Sequence, residues 1–281
     1  MKTHQDFLVK LQERLRPKYM PQANCQGGHD VTHVERLIAI GKKITFLKFN
    51  MDEFVTAAWL HNLDRVPALP KGIEICLEAE AEKMFLDDPV ITEENVEAFI
   101  RTLGLGIYCS MLLERSPFNE WAQDRIVNAV MQQGKKDDEL GDSPLLTALR
   151  IADKLDRMGP LGIIANASFR GDNLLPYDPI NPFGYDSTAE GKITTIYNGY
   201  FQILEWYGML PSDEARDLVD QKKLRFFISF LRMLGEEISE ATGAENQVED
   251  DIKKALGAHY SKVLGIETPP EILDLCPGLR Q

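Results

Sequence analysis

Apolar residues along this chain recur at helical spacing. Phe7, Leu8, Leu11 and Leu15 fall at i, i+1, i+4 and i+8, one stripe of a 3.6-residue helix. Lys10, Arg14 and Lys18 occupy the remaining faces, so residues 1–24 are expected to form an N-terminal docking helix. A second helix starts near Asp30, after Gly27 and Gly28, and carries Val34, Leu37, Ile38 and Ile40. Met51 to Leu63 forms a third, with Phe54, Ala57, Ala58, Leu60 and His61, stopped by Pro67 and Pro70. Helices are also expected over Ile73–Leu86, from Thr92 through Leu103, over Trp121–Gln133, and from Pro144 towards Gly159 and Pro160. Further on, the pattern predicts Ile193–Met209, Asp213–Ala241 and Val248–Leu264.

One segment breaks the rhythm. Residues 171–191 read GDNLLPYDPINPFGYDSTAEG, and a loop this long inside a compact domain is uncommon unless it is functional or disordered. No run alternates apolar and polar residues as a strand would. The expected class is therefore all-α, with about nine to eleven helices.

Composition adds exclusions. Apolar residues make up 44% of the chain, enough for a sizeable core. The net charge of −13 repels phosphate backbones, so general nucleic-acid binding is not expected. The four cysteines, Cys25, Cys76, Cys109 and Cys276, form no CxxC pair and read as buried thiols in a reducing compartment. No stretch approaches the ~18 apolar residues of a membrane span, and the charged N-terminus lacks a signal peptide's apolar run. The expectation is a cytoplasmic protein with no membrane partner; nothing fixes its oligomeric state, and a homo-oligomer fits as well as a monomer.

Candidate chemistry lies in three segments. The first, GHDVTHVER (28–36), puts His29 and His33 one helical turn apart with Asp30 between them. Neutral imidazole is a common metal ligand, and a carboxylate nearby can fix its tautomer. Taken alone, HxxxH is a weak signal and is more often surface histidines with Asp30 as a helix cap. The second, AAWLHNLDR (57–65), ends an apolar helix on His61 and Asn62, at the edge of a core where polar groups need partners. The third, IADKLDRMGPLGI (151–163), carries Asp153 beside an apolar face of Ile151, Leu155 and Met158. Nucleophile-elbow, P-loop, dinucleotide-fold and HExxH motifs are absent.

Together the three segments resemble the HD-domain superfamily, in its bacterial metal-dependent phosphohydrolase form. That family orders a histidine on one helix, an adjacent His-Asp pair ending the next, and an aspartate on a later helix. Here His33 matches the first histidine, His61 the pair's histidine and Asp153 the final aspartate. Asn62 stands where the pair's aspartate would be. The stretch KKLRFFISFLRMLGEEI (Lys222 to Ile238) is similar to the family's closing helix. The resemblance implies one multi-helix HD-type domain over 25–241, with the helix and tail of 242–281 packed on it.

It also implies a site. His33, His61, Asn62 and Asp153 would be the metal ligands, with Asp153, His61 and Asn62 carrying catalysis. His29 and Asp30 would orient the ligands from behind, and Arg36, Arg65, Lys154 and Arg157 would face phosphate oxygens. Asn62 offers a neutral carbonyl in place of an anion, which removes one formal charge from the site. No histidine occurs from 63 to 258, with Gln132 and Gln133 near where a further ligand would fall; a two-metal site is not expected. The expected cofactor is one divalent ion (Mg, Mn, Fe, Ni or Zn), held weakly or not at all. The expected activity is hydrolysis of a small phosphate ester or nucleotide, with the 171–191 loop closing over it. The alternative is a non-catalytic HD domain that binds a nucleotide or a protein partner in the remnant pocket.

Overall fold

The computed structural model describes residues 3–20, 28–63, 104–134, 142–170, 174–185 and 193–265. Among them the secondary structure is helical, with a single isolated bridge between Leu175 and Thr195 and no strand. Eleven α-helices have both ends described: α1 His4–Leu15, α2 Val31–Gly41, α3 Met51–Leu60, α4 Glu120–Gln132, α5 Pro144–Arg157, α6 Pro160–Arg170, α7 Ile196–Gly208, α8 Asp213–Asp217, α9 Gln221–Thr242, α10 Val248–Leu256 and α11 Tyr260–Leu264. Residues 104–113 are helical as well. The all-α class is as expected. The helices expected at Ile73–Leu86 and from Thr92 lie outside the described residues. No described helix is long and apolar enough to cross a membrane.

The chain divides into two compact units, Met1–Asp153 and Lys154–Gln281, with the boundary inside α5. In the first unit, α3 is nearly all core: Phe54, Thr56, Ala57, Ala58, Trp59 and Leu60 are buried. Such a helix must be surrounded, and α1, α2 and α4 pack against it. The stripe Phe7, Leu8, Leu11 and Leu15 is buried, as a docking helix requires. Gly41 closes α2 where the Phe54 ring crosses: a Cβ built there would lie 2.2 Å from Cε1 of Phe54. Bare backbone is what lets the two helices meet. Glu53 and Arg125 tie α3 to α4 through a two-pronged contact of 2.6 and 3.1 Å.

In the second unit, α7 packs against α6 and α10, and α9 against α6, α10 and α11. Tyr197, Phe201, Tyr207, Phe227, Leu231 and Ile252 form its interior. Residues 174–185, the described part of the expected loop, are strapped to α7. Ile196 N–H donates to the Leu175 carbonyl and Tyr197 N–H to that of Pro176, each at 2.9 Å. Tyr185 stacks on Phe201 with ring centroids 4.8 Å apart.

Three boundaries differ from the periodicity reading. Gly159-Pro160 does not end the helical region: Pro160 takes the first position of α6, where its missing N–H is not needed. The single helix expected over Asp213–Ala241 is broken, because the Asp220 carboxylate accepts the N–H groups of Lys222 and Lys223 and starts α9. The helix expected over Val248–Leu264 stops at Gly257, whose φ of +51° leaves the right-handed region.

The second unit also buries a carboxyl group. The Tyr197 hydroxyl donates to Asp251 Oδ2 at 2.8 Å, joining α7 to α10. Burial pushes the Asp251 pKa up to about 6, and the neighbouring Asp250 adds to the rise, against the opposing effects of the Tyr197 hydrogen bond and Lys254. Between the ordinary carboxyl value and 6, the folded chain keeps a proton that the unfolded chain releases. Stability therefore falls as pH rises through this window and stays lowered above it. Asp251→Asn, which leaves Tyr197 an acceptor, should be more stable than wild type at pH 7.5 by roughly 1–3 kcal/mol. The gain should vanish near pH 4 in urea unfolding curves.

Candidate metal centre

The site grows from the ends of three elements. Asp30 caps α2: its Oδ1 accepts the backbone N–H groups of Thr32 (2.8 Å) and His33 (3.1 Å) and the Thr32 hydroxyl (2.6 Å). Burial raises its pKa, but these hydrogen bonds and Arg36 outweigh that and hold the carboxyl below its ordinary value. Asp30 thus positions His33 through the backbone. His29 precedes the cap instead of sharing the helix, and its ring meets His33 edge-on at 5.9 Å.

At the end of α3, His61 Nδ1 lies 2.7 Å from the Ala58 carbonyl. A carbonyl cannot donate, so Nδ1 carries the proton and the neutral ring presents a bare Nε2. Gln133 Nε2 donates to the His61 carbonyl at 3.1 Å, satisfying one of the acceptors that a helix end leaves open. The first unit closes on Asp153, in α5. That helix is anchored by Arg150, which pairs with Asp142 and donates to the Gln132 carbonyl at 2.8 Å.

These supports bring three donors together. His33 Nε2 lies 3.2 Å from His61 Nε2 and 3.3 Å from Asp153 Oδ1. All three donor atoms fall within 4.8 Å of one another. A metal ~2.1 Å from each donor keeps neighbouring donors ~3.0 Å apart in an octahedron and ~3.4 Å apart in a tetrahedron. The two edges that meet at His33 lie between these values. Both imidazoles are buried, while Asp153 is partly open, which leaves an approach from solvent.

Asn62 joins the cluster with its nitrogen foremost. Its Nδ2 is 2.6 Å from His61 Nε2, so the amide donates to the lone pair that a metal would use. An aspartate could not do this. A half-turn about Cβ–Cγ exchanges Nδ2 for Oδ1 and would turn the donor into a neutral oxygen ligand.

The cations expected to face phosphate are less uniform. Arg36 donates to the Thr32 hydroxyl at 2.8 Å and stands one turn after His33. In the second unit, Lys154 Nζ contacts the Met209 carbonyl at 3.4 Å and Arg157 is buried. Arg65 lies outside the described residues. Sequence reading missed Arg150, because nothing local separates an anchoring arginine from a solvated one. Gln132 and Gln133, noted as standing near a further ligand position, serve instead through the Gln132 backbone carbonyl, which accepts from Arg150, and the Gln133 side-chain amide, which donates to the His61 carbonyl.

No family model and no curated protein matches the chain. Among solved structures, it is similar to a Lactobacillus plantarum protein from a structural-genomics programme, with a TM-score of 0.60 and 15% identity. That likeness covers 85% of this chain and 100% of the other. It is also similar to Bacillus subtilis YpgQ in complex with ADP, with a TM-score of 0.47, 16% identity and coverage of 82% and 97%. The first likeness shows a shared fold.

Removing Arg150 should show how far the site depends on its anchor. Its side chain is 3% exposed and that of Asp142 12%, so Arg150→Met strands a nearly buried carboxylate. The expected loss is about 3 kcal/mol in urea unfolding, with part of it recovered in Arg150→Met/Asp142→Asn.

Proposed function

We propose that this chain is an HD-type, metal-dependent phosphohydrolase with a weakened single-metal site, acting on a small phosphate ester or nucleotide. The observation that carries the reading is the triangle of His33 Nε2, His61 Nε2 and Asp153 Oδ1, with edges of 3.2 and 3.3 Å. Two imidazole nitrogens and a carboxylate oxygen suit a borderline divalent ion such as Zn, Mn, Fe or Ni better than a Mg-type all-oxygen shell. His33, His61 and Asp153 would hold the ion, with the Asn62 oxygen as a neutral fourth donor after its amide turns. The ion, when bound, supplies positive charge that acidifies a water molecule and offsets the charge of a phosphate.

The chain's own contribution is positioning. The Ala58 carbonyl keeps His61 in one tautomer, Asp30 holds the start of α2, and Arg150 holds α5. Arg36, one turn from His33, would fork onto phosphate oxygens.

A second reading has its own support. The Asn62 amide already satisfies His61 Nε2 at 2.6 Å without an ion. This favours a non-catalytic HD domain that keeps the pocket for a nucleotide or a protein partner.

Metal analysis of the purified wild type, Asn62→Asp and His33→Ala separates the two. Restoring one anionic ligand should tighten divalent-metal binding at least ~10-fold, roughly 1.4 kcal/mol. His33→Ala should lose the ion. Under the first reading, wild type loaded with Mn or Zn releases phosphate from p-nitrophenyl phosphate or a nucleotide, and Asn62→Asp alters that rate. Metal in Asn62→Asp alone, with no metal-dependent turnover in wild type, decides for the second. Failure of all three to bind metal removes the hydrolase proposal.

A further inference from the structure

Three arginines of the first unit pair with an acidic residue: Arg16 with Glu35, Arg125 with Glu53 and Arg150 with Asp142. Lys10, Arg14 and Arg115 have no ion pair among the described residues. All three line one hollow of about 370 Å³ between α1 and the helical residues at 104–113. Glu114 is its one carboxylate, so three cations meet one anion at the rim of a chain whose net charge is −13.

Lys10 and Arg14 stand at i and i+4 on α1, a spacing at which like charges weaken a helix. The hollow's floor is apolar: Phe7, Leu11 and Leu112 are buried beneath it, and Met111 is 56% exposed at its lip. Tyr108 adds a ring whose face meets Lys18, with Nζ 6.0 Å from the centroid. A thioether side chain at such a lip adapts its shape to an apolar guest.

We propose that this hollow binds a dissolved amphipathic organic anion, a single carboxylate head on a flexible apolar body. The cationic rim takes the head, and the floor with Met111 takes the body. The volume falls in the small-ligand range of about 300–1,000 Å³. The apolar floor argues against a bare inorganic anion, which would leave it wet. The same cations argue against an apolar or cationic guest. A lipid surface is disfavoured, because the apolar stripe of α1 is spent on the core and is not available to insert.

Titration calorimetry of the full chain, with decanoate below its micelle concentration, tests this. Saturable binding near one per chain is expected, with none for decyltrimethylammonium or inorganic phosphate. Arg14→Glu/Arg115→Glu should weaken decanoate binding at least tenfold, and Met111→Glu should do the same by a different route. All three positions are exposed, so melting temperatures should stay close to wild type. Equal binding of the cationic amphiphile or of phosphate, or unchanged affinity in both variants, overturns the proposal. So does retention on phosphatidylglycerol vesicles without binding of monomeric decanoate.

Discussion

The hydrogen bond from His61 Nδ1 to the Ala58 carbonyl, 2.7 Å long, fixes where the ring's lone pair points. The rest of the cluster is arranged about that direction. The bond exists because α3 ends there: a helix terminus leaves carbonyls without intrahelical partners, and a side chain on the last turn can reach back to one of them. The burial of Phe54, Ala57, Ala58, Trp59 and Leu60 fixes the axis of α3 and so aims the ring. Hydrophobic packing and imidazole tautomer are thus one problem in this protein, solved by the same ten residues.

Much of this was legible in the sequence. The stripe of α1, the start of α2 at Asp30 and the end of α3 near His61 follow from periodicity and capping chemistry. The identity of the three converging donors followed from a resemblance and needed three segments read together, since HxxxH alone says little. The supports were less visible. Arg150 differs from an exposed arginine only in what surrounds it, and Gln133 reaches His61 across 72 positions of chain. The breaks at Asp220 and Gly257 were missed for another reason. Apolar spacing continues through both, and only the side chain at 220 and the backbone at 257 interrupt the hydrogen bonds.

Asn62 gives the cluster two chemical faces. Its nitrogen side compensates the His61 lone pair without any ion, and its oxygen side would serve one. An aspartate has only the second face, so without a cation it would set a negative charge beside buried imidazoles and beside Asp153. The amide leaves the His61 lone pair compensated without an ion, and would bind one less tightly than a carboxylate.

The contact between Gly41 and the Phe54 ring has a consequence for how such a centre drifts over time. His33 and Gly41 sit on the same helix, eight residues or roughly 12 Å apart, and Phe54 sits on the helix that ends at His61. The two helices that carry His33 and His61 therefore touch through an aromatic ring resting on bare backbone, and that thickness acts as a spacer for the two imidazoles about two turns away. A single methyl at position 41 would work as a wedge near a fulcrum, prying apart nitrogens it never meets. Purifying pressure on the chemistry would then register at a glycine with no chemistry of its own.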